Sequence, residues 1–468
     1  MLFNTVHFFL FLAAALALFY LSPRALRKYI LLGASYFFYG TWNYKFIPLL
    51  LTLTAIDYTA GIWLEKFPPG PRKRAVLILS LSANLAFLGF FKYYNFLAAN
   101  LALLLGRPAN SFFRDIVLPL GISFHTFQSM SYVVDIYRGQ QTAVRNPVDY
   151  ALYICFFPQL VAGPIVRARN FFRDLFHWQP PSAADVSRGL FLLVLGLAKK
   201  MAFADQFAKV ANAYFANVPG NPGMLTAWSG VCAFGLQIYF DFSGYTDMAI
   251  GMAKLLGFHF PVNFRRPYLA QSITDFWRRW HISLSSWLRD YLYIPLGGSR
   301  RGRWMTYRNL ILTMLLGGLW HGANWNFLIW GGYHGVLLST ERLFRGQRPV
   351  DGGWSLLYPL KALLTFVLVM IGWVFFRAAN FAQSAQILSQ MFSGRLGPML
   401  LQPWHIELAL VSLVLAVGEE MGDWSERLIA APAPVVRSSR RVKRWIFSAS
   451  TLLSRATCTN SASLRSCV

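Results

Sequence analysis

Charge is what this sequence has least of: 13% of its 468 residues are Asp, Glu, Lys or Arg, where an ordinary soluble protein carries roughly 25%. With 56% hydrophobic and 17% aromatic residues, too little polar surface remains to coat a water-soluble globule, and the disordered and fibrous classes are excluded as well. Cysteine is equally scarce. The four thiols, Cys155, Cys232, Cys458 and Cys467, form no Cys-x-x-Cys pair, so a secreted disulfide framework is excluded, and Cys155 and Cys232 read as small residues of an apolar core. Acids are the rarer charge, 19 against 44 Lys and Arg, for a net charge of +25. In a soluble chain that excess would point to nucleic acid. Here Lys and Arg stand at the ends of apolar runs, where they hold cytoplasmic loops inside and touch anionic headgroups. The expected partners are membrane lipids, with no nucleic acid. There is also no repeat of fixed period and no polar stretch long enough for a separate soluble domain. The chain reads as an all-α polytopic membrane protein.

What is there is a series of apolar runs. The first, Leu2 to Leu21, has about the length that crosses a bilayer, roughly 20 residues, and Arg24, Arg27 and Lys28 follow it. A signal peptide carries its positive charges before the apolar stretch, so this run is expected to stay as the first transmembrane helix. Runs at Tyr29–Trp42 and Phe46–Leu64 come next, then a basic loop from Lys66 to Arg74. The basic loops place the amino terminus outside. Further runs lie near Ala75–Phe91, Phe96–Leu105, Ile116–Ile136, Tyr150–Val166, Gly189–Ala204 and Leu225–Phe240. The last are Met305–Leu319, Trp325–Ser339, Leu356–Val374 and Leu408–Val417. Several are too short to span, so the reading is about ten to twelve transmembrane helices plus re-entrant or interfacial helices. They form one membrane domain over residues 1–434. Beyond the Ala431-Pro-Ala-Pro434 break, residues 435–468 are a basic, Ser-rich tail without an acid, either a membrane-surface segment or a poorly ordered end.

Ionisable residues inside a bilayer are expensive, so those within apolar runs are functional hypotheses by default. Three regions concentrate polar residues. In Leu118–Arg138, Ser123, Thr126, Gln128, Ser131 and Asp135 interrupt an aromatic helix, for which helix–helix hydrogen bonding is the plainer account. In Gln237–Gly251, Asp241 and Asp247 flank Ser243, Gly244 and Tyr245, which suits a broken helix or turn lining a cavity. Metal-ligand spacings are not met there, so no metal is expected, and structural or substrate-positioning roles are favoured for Gln237, Asp241, Tyr245 and Asp247. The third region, Phe264–Gly335, mixes charge with Trp and Tyr around His281 in the manner of an interfacial or re-entrant element. It then reaches Gly317-Gly-Leu-Trp-His-Gly322. There His321 ends an apolar run among glycines that permit close backbone approach. A neutral imidazole in such a place can take a proton from a hydroxyl that attacks an acyl group. His334 reads as structural.

These stretches resemble the membrane-bound O-acyltransferases, and within them the branch of the bacterial alginate O-acetyltransferase membrane subunits. The resemblance rests on Leu118–Arg138, Tyr153–Arg167, Gln237–Gly251, Asp275–Gly298, Leu319–Gly335 and Gly372–Ala378, and with the amino-terminal runs it covers nearly the whole chain up to about Gly418. Proteins that D-alanylate teichoic acids look like more distant relatives. The resemblance implies a helical membrane fold with a central tunnel and an acyl donor arriving from the cytoplasm. No cofactor is bound, acetyl-CoA being the donor co-substrate. It further implies delivery to an exopolysaccharide such as alginate, at the bacterial inner membrane, with extracytoplasmic acetyltransferase or esterase-like partner proteins.

The family's invariant histidine matches His321, and its second polar position, some tens of residues earlier, matches His281. The resemblance thus makes His321 the general base or acyl-handling residue and His281 its support, with Trp320, Asn324, Trp325 and the Gln237–Asp247 group around the substrate. Asn324 or Tyr245 would supply oxyanion donors. The basic tail departs from the family, whose members end in a further apolar helix. A polysaccharide or lipid transporter, or a non-catalytic scaffold for an extracytoplasmic acetyltransferase, stands as the alternative; the absence of internal symmetry speaks against the transporter.

Overall fold

The computed structural model describes residues 1, 3–160, 163–346 and 356–422, and among these every regular element is helical. The basic tail lies outside the described residues. Six helices open the fold: α1 (Val6–Leu21), α2 (Arg24–Asn43), α3 (Ile47–Lys66), α4 (Pro71–Leu88), α5 (Tyr94–Leu104) and α6 (Ile122–Tyr137). Then come α7 (Pro147–Cys155), α8 (Phe157–Leu160), α9 (Ala168–Phe176), α10 (Ala183–Ala198), α11 (Asp205–Ala216) and α12 (Met224–Leu255). The remainder is α13 (Ile273–Arg279), α14 (Ile282–Leu288), α15 (Arg303–His321), α16 (Trp325–Arg345), α17 (Tyr358–Arg377), α18 (Phe381–Met391) and α19 (Pro403–Gly422).

Among the described residues three helical stretches are long and apolar enough to cross a membrane: Arg24–Lys66, Pro71–Leu104 and Tyr358–Arg377. The long central helix α12 is not among them, since its Ser, Thr, Gln, Asp and Gly residues make it less apolar. It is the post around which the fold is built. Its first half packs with α11, α17 and α18 around Phe207, Val231, Phe234 and Trp373. Its second half joins α1, α2, α7 and α9 around Phe8, Phe38, Phe156 and Phe171. A helix surrounded by protein can carry Ser, Thr and carboxylates that a lipid-facing one cannot.

The break expected at Asp241–Asp247 does not occur: α12 runs unbroken for 32 residues. Gly244 serves helix packing instead. A Cβ on Gly244 would stand 2.7 Å from the Gly196 carbonyl oxygen, and one on Gly251 would stand 2.6 Å from that of Gly189. Glycines seven residues apart on each helix therefore form an antiparallel seam along which α10 and α12 touch backbone to backbone. The irregular turn belongs to the partner, where a π-helical turn, Lys199–Ala204, joins α10 to α11. It presents Lys199 to Asp247 at 2.6 Å and Lys200 to Asp241 at 2.6 Å, so the two carboxylates that suggested a break are held by ion pairs.

A second departure has the same origin. The runs Ala75–Phe91 and Phe96–Leu105 read as separate segments, yet α4 passes into α5 through a π turn, Gly89–Tyr93. The extra residue in such a turn re-aims side chains, and π turns recur at functional sites. Here it carries Lys92 inward.

Candidate active site

The site is assembled where α15 ends. α15 and α16 pack so closely that a Cβ on Gly335 would lie 2.9 Å from Ile311 Cα, and one on Gly331 would lie 3.0 Å from Leu315 Cα. That approach brings His321, the last residue of α15, into an aromatic surround, with ring centroids at 4.9 Å from Trp320, 5.2 Å from Trp330 and 5.1 Å from Phe376. Carbonyls in the final turn of a helix have no partner within it. Tyr93 Oη donates to the Leu319 oxygen at 2.7 Å, and Lys92 Nζ donates to the Trp320 oxygen.

His281 reaches the same place from another direction. It sits between α13 and α14 with φ +43° and ψ 55°, in the left-handed region that non-glycine residues seldom enter. Two backbone bonds hold it there, Ile282 N to Asn263 O at 2.9 Å and Arg265 N to Arg279 O at 2.9 Å. The side chain is 1% exposed. Its Nδ1 lies 3.2 Å from Asn263 Oδ1, which also accepts from Ser283 N at 3.0 Å and Ser283 Oγ at 2.9 Å.

The Ser283 backbone N–H can only donate, which fixes the Asn263 amide with its oxygen toward this cluster. Nδ1 of a neutral His281 must then carry the proton, leaving Nε2 as an unprotonated lone pair. That Nε2 is buried and without a partner among the described residues.

Both imidazoles line one cavity of about 240 Å³, whose other walls include Lys92, Ser123, Phe124, Phe242 and Trp320. The indole of Trp320 lies between the two rings, 6.3 Å from His281 and 4.9 Å from His321 by centroids. Phe242 closes on His281 edge-on at 4.7 Å. Drug-sized ligands occupy roughly 300–1,000 Å³, so this volume suits the reacting end of a ligand. The arrangement offers an unprotonated ring nitrogen, a second imidazole and a cation around one small apolar chamber.

Of the residues singled out in the sequence, His321, His281 and Trp320 are brought together. The others stand apart. Asp241, Asp247 and Tyr245 belong to the ion-paired side of α12, where Lys200 lies 5.8 Å from the Tyr245 ring; the same helix lends the cavity Phe242 instead. Gln237 is also outside the lining, its Oε1 buried without a partner among the described residues. Asn324 is the N-cap of α16: its side chain accepts from Asn326 N at 2.9 Å and donates to Ala379 O at 3.4 Å. Trp325 is 54% exposed and donates to Asn100 Oδ1 at 3.1 Å. His334 is buried and accepts from Trp277 Nε1 at 3.4 Å.

Lys92, Asn263 and the aromatic wall residues Phe124 and Phe242 were missed. Lys92 had a signal, as the one charged residue between Ala75 and Leu105. Asn263 had none, because its importance comes from a neighbour 18 residues away.

Among the described residues no three His, Cys, Asp or Glu side chains gather as a metal site would require. Comparison with known proteins closes the assignment. The chain is 45% identical over 395 residues to the probable alginate O-acetylase AlgI of Azotobacter vinelandii, covering 83% of this chain and 77% of that one. It is 39% identical over 391 residues to the peptidoglycan O-acetyltransferase of Helicobacter pylori, covering 78% and 73%. The teichoic acid D-alanyltransferase of Bacillus subtilis is 30% identical over 280 residues, 56% of this chain and 69% of that protein. Residues 75–379, which hold Lys92, His281 and His321 together, match the model of the membrane-bound O-acyltransferases, and this membrane acyltransferase belongs to that family.

Proposed function

We propose that the protein is an O-acetyltransferase of the bacterial inner membrane that takes an acetyl group from acetyl-CoA on the cytoplasmic side and passes it outward for O-acetylation of an exopolysaccharide such as alginate. Extracytoplasmic acetyltransferase or esterase-like proteins serve as partners in the final delivery. The observation that carries the reading is the meeting of His321 and the tautomer-locked His281 on one small cavity. The name of the relative in Azotobacter vinelandii supports a polysaccharide acceptor.

In the reaction, His321 takes the proton of the acceptor hydroxyl as its oxygen bonds to the thioester carbonyl carbon. The C–S bond then breaks and the proton passes to the leaving thiolate. His281 supports this with the Nε2 lone pair, which holds a neighbouring N–H or O–H of the reactants in place. General base action contributes about 10²–10⁴-fold. Confinement in a small chamber between aromatic walls supplies orientation beyond that. The basic loops steer the highly charged donor to the cytoplasmic mouth.

The test is mass analysis of surface polysaccharide from cells carrying the wild type, His321→Ala, or no copy. The expected outcome is loss of acetyl groups in His321→Ala to the level of cells without the protein, with the variant still present in the membrane. Wild-type acetylation by His321→Ala would overturn the reading.

A further inference from the structure

Lys92 brings a cationic side chain to the cavity lining, and the proposed chemistry has so far no use for it. It sits on a π turn within Ala75–Leu105, a stretch otherwise without charge, and it has no carboxylate partner among the described residues; its neighbours are the Ser123 hydroxyl at 3.1 Å, the Trp320 carbonyl and the Trp320 ring, 5.5 Å from Nζ to centroid. An ammonium carries three protons. Two are taken by Ser123 and Trp320, on a group that lines the cavity beside both histidines. A cation held in apolar surroundings without a counter-ion is costly, and a protein that keeps one there has a place for negative charge next to it.

Acyl transfer makes such a charge. We propose that Lys92 is a catalytic residue that donates to the carbonyl oxygen of the acyl thioester as negative charge develops on it, an assignment that rests on the acyl-transfer reading above. As the acceptor oxygen bonds to the carbonyl carbon, the C=O π pair moves onto oxygen and is stabilised by the ammonium. When the carbonyl re-forms, the C–S pair leaves with the thiolate, and Lys92 keeps its proton throughout. Lys92 thus takes the place of Asn324, whose amide is engaged in capping α16. The plainer role for Lys92 is a cap on the last turn of α15, since cations favour helix C-termini. Tyr93 already performs that role on the preceding carbonyl and does not line the cavity, so the two roles separate experimentally.

The measurement is thiol release from acetyl-CoA by the purified full-length protein in lipid nanodiscs, with an alginate oligosaccharide supplied as the hydroxyl acceptor. Lys92→Met and Lys92→Gln should each lower kcat by roughly 10²–10³-fold, as loss of an oxyanion donor does, with KM within about threefold. Lys92→Arg, which keeps the charge, should stay within about tenfold of wild type, and Tyr93→Phe within about twofold. If Lys92→Met fails to insert, the Gln and Arg pair decides. The proposal falls if Lys92→Gln turns over within about threefold of wild type, if the loss lies in KM alone, or if Tyr93→Phe costs as much. His321→Ala, run alongside, tells the failures apart. An inactive His321→Ala with an active Lys92→Gln sinks only the lysine. Wild-type turnover in His321→Ala sinks the reading of the cavity and the lysine with it.

Discussion

Asn263→Ala tests whether the His281 tautomer matters. Asn263 is 0% exposed, and its Oδ1 is the common acceptor for His281 Nδ1–H and for both donors of Ser283. Truncation orphans three buried donors, each costing about 1–3 kcal/mol where water does not replace the lost acceptor. For catalysis the relevant part is the bond to His281, worth about 0.5–1.5 kcal/mol, because it is what places the proton on Nδ1. At about 1.4 kcal/mol per factor of ten, losing that bias lowers the population of the competent tautomer by up to about tenfold, and kcat should fall by the same factor.

The assay is thiol release from acetyl-CoA by the purified variants with the same oligosaccharide acceptor, accompanied by His281→Ala and the double variant. Since Asn263 acts through His281, the double variant should be no slower than His281→Ala alone. An Asn263→Ala rate within about twofold of wild type, or a double variant in which the two losses multiply, would refute the tautomer argument.

Two predictions concern the scaffold. Gly196→Leu drives a side chain into the α10–α12 seam, where the backbones meet at Gly244; overpacking of this kind costs about 1–3 kcal/mol or more, read as a lowered melting temperature in detergent and, through displacement of Phe242, as lost activity. Ser182→Ala removes the capping box at the start of α10, in which Ser182 Oγ accepts from Asp185 N at 3.1 Å and donates to Asp185 Oδ2 at 2.6 Å, and should cost about 1 kcal/mol. These Ser182 bonds, helped by Lys254 at 3.7 Å, hold the Asp185 carboxyl below its ordinary range. Its contribution is therefore complete above the ordinary carboxylate range and disappears as pH falls through the lowered value. The stability gap between wild type and Ser182→Ala should close on acidification; a gap that widens in acid would contradict the assignment.

How much of this was legible beforehand depended on whether the signal was local. His321 stood out because its glycines, its tryptophan and the end of an apolar run are neighbours in the chain. The Asp241–Asp247 segment misled for the opposite reason. A carboxylate in an apolar run reads as a break only while its cation is unseen, and Lys199 and Lys200 lie more than 40 residues away on α10's π turn. Trp325 and Asn324 were drawn in by adjacency to His321. The chain reverses between α15 and α16, however, and α16 carries both away from the cavity, one to Asn100 and the other to the cap of its own helix.

Composition and periodicity alone determined that this is a helical membrane protein: 13% charged residues cannot coat a globule in water, and only helices leave no backbone group unpaired in lipid when the runs are this apolar. Tertiary packing alone decided which polar residues share a chamber. Lys92, Asn263, His281 and His321 are spread over 230 residues of sequence and meet because a π turn, a left-handed residue and a glycine-lined helix crossing each redirect one of them. Such redirections depend on contacts between distant segments, for which a single sequence carries no local signature.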